Sequence, residues 1–140
     1  VEASQAVVEG ALLSTYSFRR YKTDGNEDGD AGSKRSVRKV SVVERSDDSL
    51  AAVARGAETG EATAAGVMLT RDLGNEPANT ATPTFLAAQA SEIAERYGMR
   101  LEVWDRERII EEGMGAFASV AAGAVEPPRF IVLEHAPDGL

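Results

Sequence analysis

At 140 residues, 43% of them hydrophobic and 27% charged, the chain has the make-up of one ordinary globular domain or pieces of two, not of a disordered tail. Its formal net charge of −8 repels a phosphate backbone and argues against nucleic-acid binding, and the lack of cysteine excludes disulfides, thiolate zinc sites and cysteine nucleophiles. No apolar run approaches membrane-spanning length and no signal-peptide pattern stands at the start, so no membrane partner and a cytoplasmic location are the expectation.

Residues 3–18 place Val8, Leu12, Thr15 and Tyr16 at helical spacing, with Val7 and Ala11 alongside, which predicts a helix packed on a sheet. Residues 23–36 are rich in Gly, Asp and Asn without a period and read as a surface loop. There the basic cluster from Lys34 to Lys39 abuts an acidic run, as in a solvated, hairpin-like segment. Residues 37–44 set Val40 and Val42 on one face and Val43 on the other, the pattern of a short strand.

A long helix is expected over residues 49–73, capped by Asp47 or Asp48 and closed by Gly74 as its C′ residue. Its seam of Leu50, Val53, Ala57, Gly60, Ala64 and Val67 is almost all small. Gly56, Gly60 and Gly66 each cost about 1 kcal/mol in helix propensity relative to alanine. Such a helix must be held by its neighbours, and its small seam lets another backbone come close, as a helix linking two domains would need.

Pro77 forces Glu76 out of helical geometry. Thr82 then caps a new helix with Pro83 in its first turn, carrying Leu86, Ala90, Ile93, Ala94 and Tyr97 on one face and ending at Gly98. Residues 100–104 alternate as a strand with Leu101 and Val103 inward. Asp105 caps a short helix to Glu112, broken by Gly113-Met114-Gly115, and residues 117–122 form a second short helix ending at Gly123. Residues 129–134 are apolar in both directions, which predicts a strand buried on both faces of a largely parallel sheet.

The order of elements is that of an α/β protein whose sheet is barely begun, since two strands do not make a stable sheet with both faces covered. The first residue is Val1 and the last four, Pro137 to Leu140, look like a turn after a strand. Both ends are expected to be cut from a longer polypeptide.

Little here can do catalysis. His135 stands at the end of the last strand, where α/β active sites gather, but a single histidine at a strand end is more often just half-exposed. No His-Glu-x-x-His, clustered ligand set or nucleophile elbow is present. The glycines at 113, 115 and 123 follow a helix rather than a strand, so they read as helix punctuation and not a phosphate loop. Glu107, Glu111 and Glu112 share a short helix with Arg106 and Arg108, an ordinary solvated face, and Trp104 reads as a packing residue. Asn75 and Asn79 have amides able to hold an oxyanion, yet they stand where one helix stops and another starts, and satisfying orphaned backbone groups is the better reading.

The motif Arg71-Asp72-Leu73-x-Asn75-x-Pro77-x-Asn79, followed by Thr82-Pro83, resembles the start of the catalytic domain of the leucyl (cytosol) aminopeptidases. So do Glu111-Glu112-Gly113-Met114-Gly115-Ala116-Phe117-x-x-Val120-x-x-Gly123, then Glu126-Pro127-Pro128 and Phe130-Ile131-Val132-Leu133-Glu134, in order and spacing. Upstream, Glu9-Gly10-x-x-Leu13-x-x-Tyr16-x-Phe18-x-x-Tyr21-Lys22 is similar to the last helix of that family's amino-terminal domain.

The resemblance implies a parent enzyme that removes amino-terminal residues from peptides with two divalent metal ions, Mn or Zn, and that assembles as a homo-hexamer. It implies that residues 1–47 finish an amino-terminal α/β domain, 48–74 form the linking helix, and 75–140 open a mixed-sheet catalytic domain. The family's metal and catalytic groups lie in Gly-Lys-Gly-x-x-Phe-Asp-Ser-Gly-Gly and Asn-Thr-Asp-Ala-Glu-Gly-Arg motifs, and neither is present here. No catalytic, metal or substrate-binding residue is therefore assigned within these 140 residues, and the chain alone is expected to bind no metal and to be inactive. A second reading is a non-catalytic α/β interaction or ligand-binding module that shares the front half of the fold without its chemistry.

Overall fold

The computed structural model describes residues 1–22, 37 and 39–136. They form mixed α/β material in two compact units, Val1–Asn75 and Glu76–Leu140. The expected loop at 23–36 lies outside the described residues, as does the expected tail at 137–140.

The first unit is built on two helices, α1 (Glu2–Ser14) and α2 (Asp47–Asn75), packed along one another. Their seam explains the glycines. Gly56 and Gly60 are buried against α1, where a Cβ on Gly60 would lie 2.8 Å from the Gln5 carbonyl oxygen and 3.1 Å from Val8 Cβ. A Cβ on Gly56 would collide outright with Ser4 Oγ and the Val1 carbonyl. The helix propensity lost at these two positions is recovered as close backbone approach, with Val8 and Ala64 sealed in the seam.

α1 is shorter than its apolar period predicts and stops at Ser14 instead of 18. The hydroxyls of Ser14 and Thr15 donate to the carbonyls of Ala11 and Leu12, at 2.8 and 2.7 Å, so the last turn is satisfied locally and need not continue. α2 is longer than expected. Gly74 stays inside the helix rather than turning left-handed, and Asp47 and Asp48 sit in the first turn, where acidic groups suit the helix dipole.

The strand expected at 37–44 is not formed: residues 37 and 39–44 have no regular structure, and Val43 is 84% exposed. A strand needs a neighbour to take its backbone hydrogen bonds, and no described strand belongs to this unit.

The second unit opens with a turn in which the Thr80 and Ala81 amides donate to the Pro77 carbonyl, at 2.8 and 2.9 Å. Helix α3 (Pro83–Tyr97) begins as expected, with Thr82 Oγ1 accepting from the Phe85 amide and Pro83 at its start. Gly98 ends it in the left-handed conformation, φ 63°. Buried Ala90 and Ala94 seat α3 on a two-stranded sheet of β1 (Arg100–Trp104) and β2 (Phe130–Glu134).

The sheet corrects two expectations. β1 and β2 pair antiparallel, Arg100 opposite Glu134 and Trp104 opposite Phe130, not in parallel. β2 is half-covered rather than buried on both faces, with Val132 38% exposed. Between the strands, Asp105 Oδ1 accepts from the Arg108 amide to start α4 (Arg106–Glu111), whose Ile109 is fully buried. Gly113, at φ 72°, reverses the chain into α5 (Gly115–Val120), which begins and ends two residues before the range its apolar run predicts. Phe117 of α5 meets the edge of Phe130, which packs on Trp104 at 5.0 Å between ring centroids.

Candidate functional site

The residues weighed for chemistry are scattered. His135 is exposed beyond the end of β2. Glu112 pairs with Arg108 at 2.5 Å, one turn apart on an open helix face, and the Arg108 guanidinium stacks 5.5 Å from the Trp104 ring. Arg106 reaches the Ala121 carbonyl. Trp104 donates from Nε1 to Glu102, which also pairs with Arg100 at 2.7 Å. These are the solvated and packing roles expected of them.

The two asparagines part company. Asn75 donates to the Arg71 carbonyl at 2.7 Å and to the Tyr16 hydroxyl at 3.2 Å, a structural role in keeping with its place at a helix end. Asn79 is exposed and its amide takes no hydrogen bond among the described residues, so the backbone-satisfying role expected of it is not filled.

What sequence reading did not join is the most developed polar constellation among the described residues. Tyr16, just past α1, donates its hydroxyl to Asp72 Oδ1 of α2 at 2.7 Å. Asn75 approaches that hydroxyl from the next turn, and the Arg71 guanidinium lies 5.5 Å from the centre of the Tyr16 ring. Partial loss of water and the bond to Asp72 raise the Tyr16 hydroxyl above its ordinary pKa, with Asn75 and Arg71 pulling the other way. Glu44 is shifted down, because the Ser46 and Arg45 amides donate to its carboxylate. Tyr16 and Asp72 both stood in recognisable motifs, but 56 positions separate them, and nothing local signals that they meet.

The first unit also holds a cavity of about 430 Å³ between α1, α2 and the irregular segment after residue 37. It is lined mainly by apolar side chains, Leu12, Val40, Val42 and Val53 among them, with Lys39 and Glu61 supplying the charge. No nucleophile and base stand together in it.

Nor do the described residues fit a metal centre: no group of three His, Asp or Glu side chains among them is placed to hold an ion. The two divalent ions that the family resemblance implies find no ligand set among the described residues.

Residues 68–139 match the cytosol aminopeptidase family, catalytic domain. A probable cytosol aminopeptidase of Nitratidesulfovibrio vulgaris is 42% identical over 139 residues, 99% of this chain and 27% of that protein. One from Alkaliphilus metalliredigens is 37% identical over 134 residues, 96% of this chain and 26% of that protein. A solved structure of a bottromycin maturation enzyme, BotP, in complex with Mn has a TM-score of 0.78 at 29% identity, covering 96% of this chain and 26% of that one. The chain thus spans about a quarter of the length of the relatives it matches.

Proposed function

This chain belongs to the cytosol aminopeptidase family, and from that premise we propose that it is part of a leucyl aminopeptidase that hydrolyses amino-terminal residues from peptides. The observation that carries the reading is the near-complete coverage of this chain, 99%, by one 42%-identical relative named as a probable cytosol aminopeptidase. In this reading residues 1–47 end the amino-terminal domain, 48–74 form the linking helix and 75–140 open the catalytic domain. The division of the chain into two compact units at Asn75 supports a catalytic domain that opens near residue 75, while the helix at 48–74 packs within the first unit.

Two divalent ions, Mn or Zn, would activate the attacking water and polarise the scissile carbonyl in the complete enzyme. Neither of the family's metal-binding motifs occurs in this sequence and no group among the described residues is placed to hold an ion, so in this reading the chain assists by scaffolding and the ligands lie in those motifs of the complete enzyme. Peptides are the substrates, the cytosol the location and a homo-hexamer the assembly in this reading, which assigns no membrane or nucleic-acid partner.

The complete polypeptide that contains this chain should release leucine from leucine amide, lose that activity to a chelator and regain it with Mn²⁺ or Zn²⁺. The 140-residue chain alone should do none of this. A complete polypeptide without peptidase activity would point to the non-catalytic module instead, and metal-dependent turnover by residues 1–140 would refute the scaffolding role.

A further inference from the structure

We propose that Tyr16, Asp72, Asn75 and Arg71 form a latch through which α1 holds the last turn of α2 helical up to the boundary of the first compact unit. Four observations place it there. Tyr16 lies two residues beyond the end of α1, yet its hydroxyl reaches Asp72 Oδ1 at 2.7 Å, in the last turn of α2. Asn75 closes that turn twice over, on the Arg71 carbonyl and on the same hydroxyl. The Arg71 guanidinium covers the ring from the turn's first residue. And the turn contains Gly74, which has open space around it and no packing partner to recover its poor helix propensity.

A helix end with a glycine one residue from its terminus ordinarily frays or turns left-handed there. Here it does neither, and α2 continues to Asn75, the last residue of the first unit. The propensity deficit is offset by tertiary bonds to a tyrosine 56 residues earlier in the chain. Three of the five residues of the Arg-Asp-Leu-Gly-Asn motif, Arg71, Asp72 and Asn75, thus contact Tyr16.

Amide hydrogen exchange on the 140-residue chain tests the latch, with Tyr16→Phe and Asp72→Val made singly and together; valine removes the acceptor at a helix propensity close to that of aspartate. Tyr16→Phe keeps the ring under Arg71 and removes only the hydroxyl. Exchange of the amides at residues 73–75 should accelerate on the order of fivefold, the scale for losing the hydroxyl's partly exposed bonds to Asp72 and from Asn75. The double variant should exchange little faster than Tyr16→Phe, because the bond lost with the Asp72 carboxylate is one of the two already lost with the hydroxyl. Amides at Gly60 and Ala64, in the α1–α2 seam, should keep their rates and report that the unit stays folded. The latch is refuted if residues 73–75 are unaffected, if the two changes act additively, or if the seam amides accelerate in parallel, which would mark a general loss of stability.

Discussion

Alanine at Gly60 would bring a Cβ 2.8 Å from the Gln5 carbonyl oxygen, whereas alanine at Gly66, two turns on, meets nothing within 4 Å. The same substitution should therefore change sign along one helix. Gly60→Ala should destabilise by about 1–3 kcal/mol through overpacking, and Gly66→Ala should stabilise by about 0.5–1 kcal/mol through helix propensity; chemical denaturation of the two variants reads both. Asn79→Ala should shift stability by no more than about 0.5 kcal/mol, since the side chain is exposed and unbonded among the described residues. Tyr16 adds a pH dependence whose sign is set by its raised pKa. A group with a higher pKa in the folded than in the unfolded state stabilises the fold below the unfolded value, near 10, and loses that contribution as pH rises through the folded one. Its phenolate can no longer donate to Asp72. Alkaline melts should show wild type converging on Tyr16→Phe above about pH 10.

Among the elements, α3 was the most readable because its signals are local. A capping threonine, a proline at the first position and a left-handed glycine at the end act within a few residues of themselves. Thr82→Ala should cost about 1 kcal/mol, the loss of one side-chain cap, measurable by thermal unfolding. The termini of α1 and α2 were less readable. Apolar period says which face is covered but not where a hydroxyl will take a carbonyl, as Ser14 and Thr15 do, nor that a distant tyrosine will hold Gly74 helical. The direction of β2 was not readable at all. An apolar run such as Phe130–Glu134 suits a buried parallel strand, yet its pairing is decided by what lies opposite, Arg100 against Glu134 and Trp104 against Phe130. The alternation at 37–44 is the converse case, a strand pattern that takes no regular form without a described partner strand.

At the scale of the molecule, this chain is in the proposed reading a scaffold for chemistry carried by other parts of the complete enzyme, with no ion of its own. Ligands stabilise a fold only if they bind its native state, by about 2.7 kcal/mol at a hundredfold excess over Kd. Millimolar Mn²⁺ or Zn²⁺ should then leave the melting temperature of the 140-residue chain where a chelator leaves it. A clear upward shift would reveal an ion site in this chain and count against the proposed scaffolding role.

From residue order alone came the α/β class, the five helices and two strands among the described residues (with ends shifted by a few positions), the caps at Thr82 and Asp105, the break at Gly98 and the family resemblance. Each depends on spacing or on side chains that act on their own backbone. Only the folded chain decided the antiparallel pairing, that α1 supplies the backbone admitted by Gly56 and Gly60, and the meeting of Tyr16 with Asp72. Those depend on which surfaces come together across tens of residues, and no local pattern encodes a partner's position.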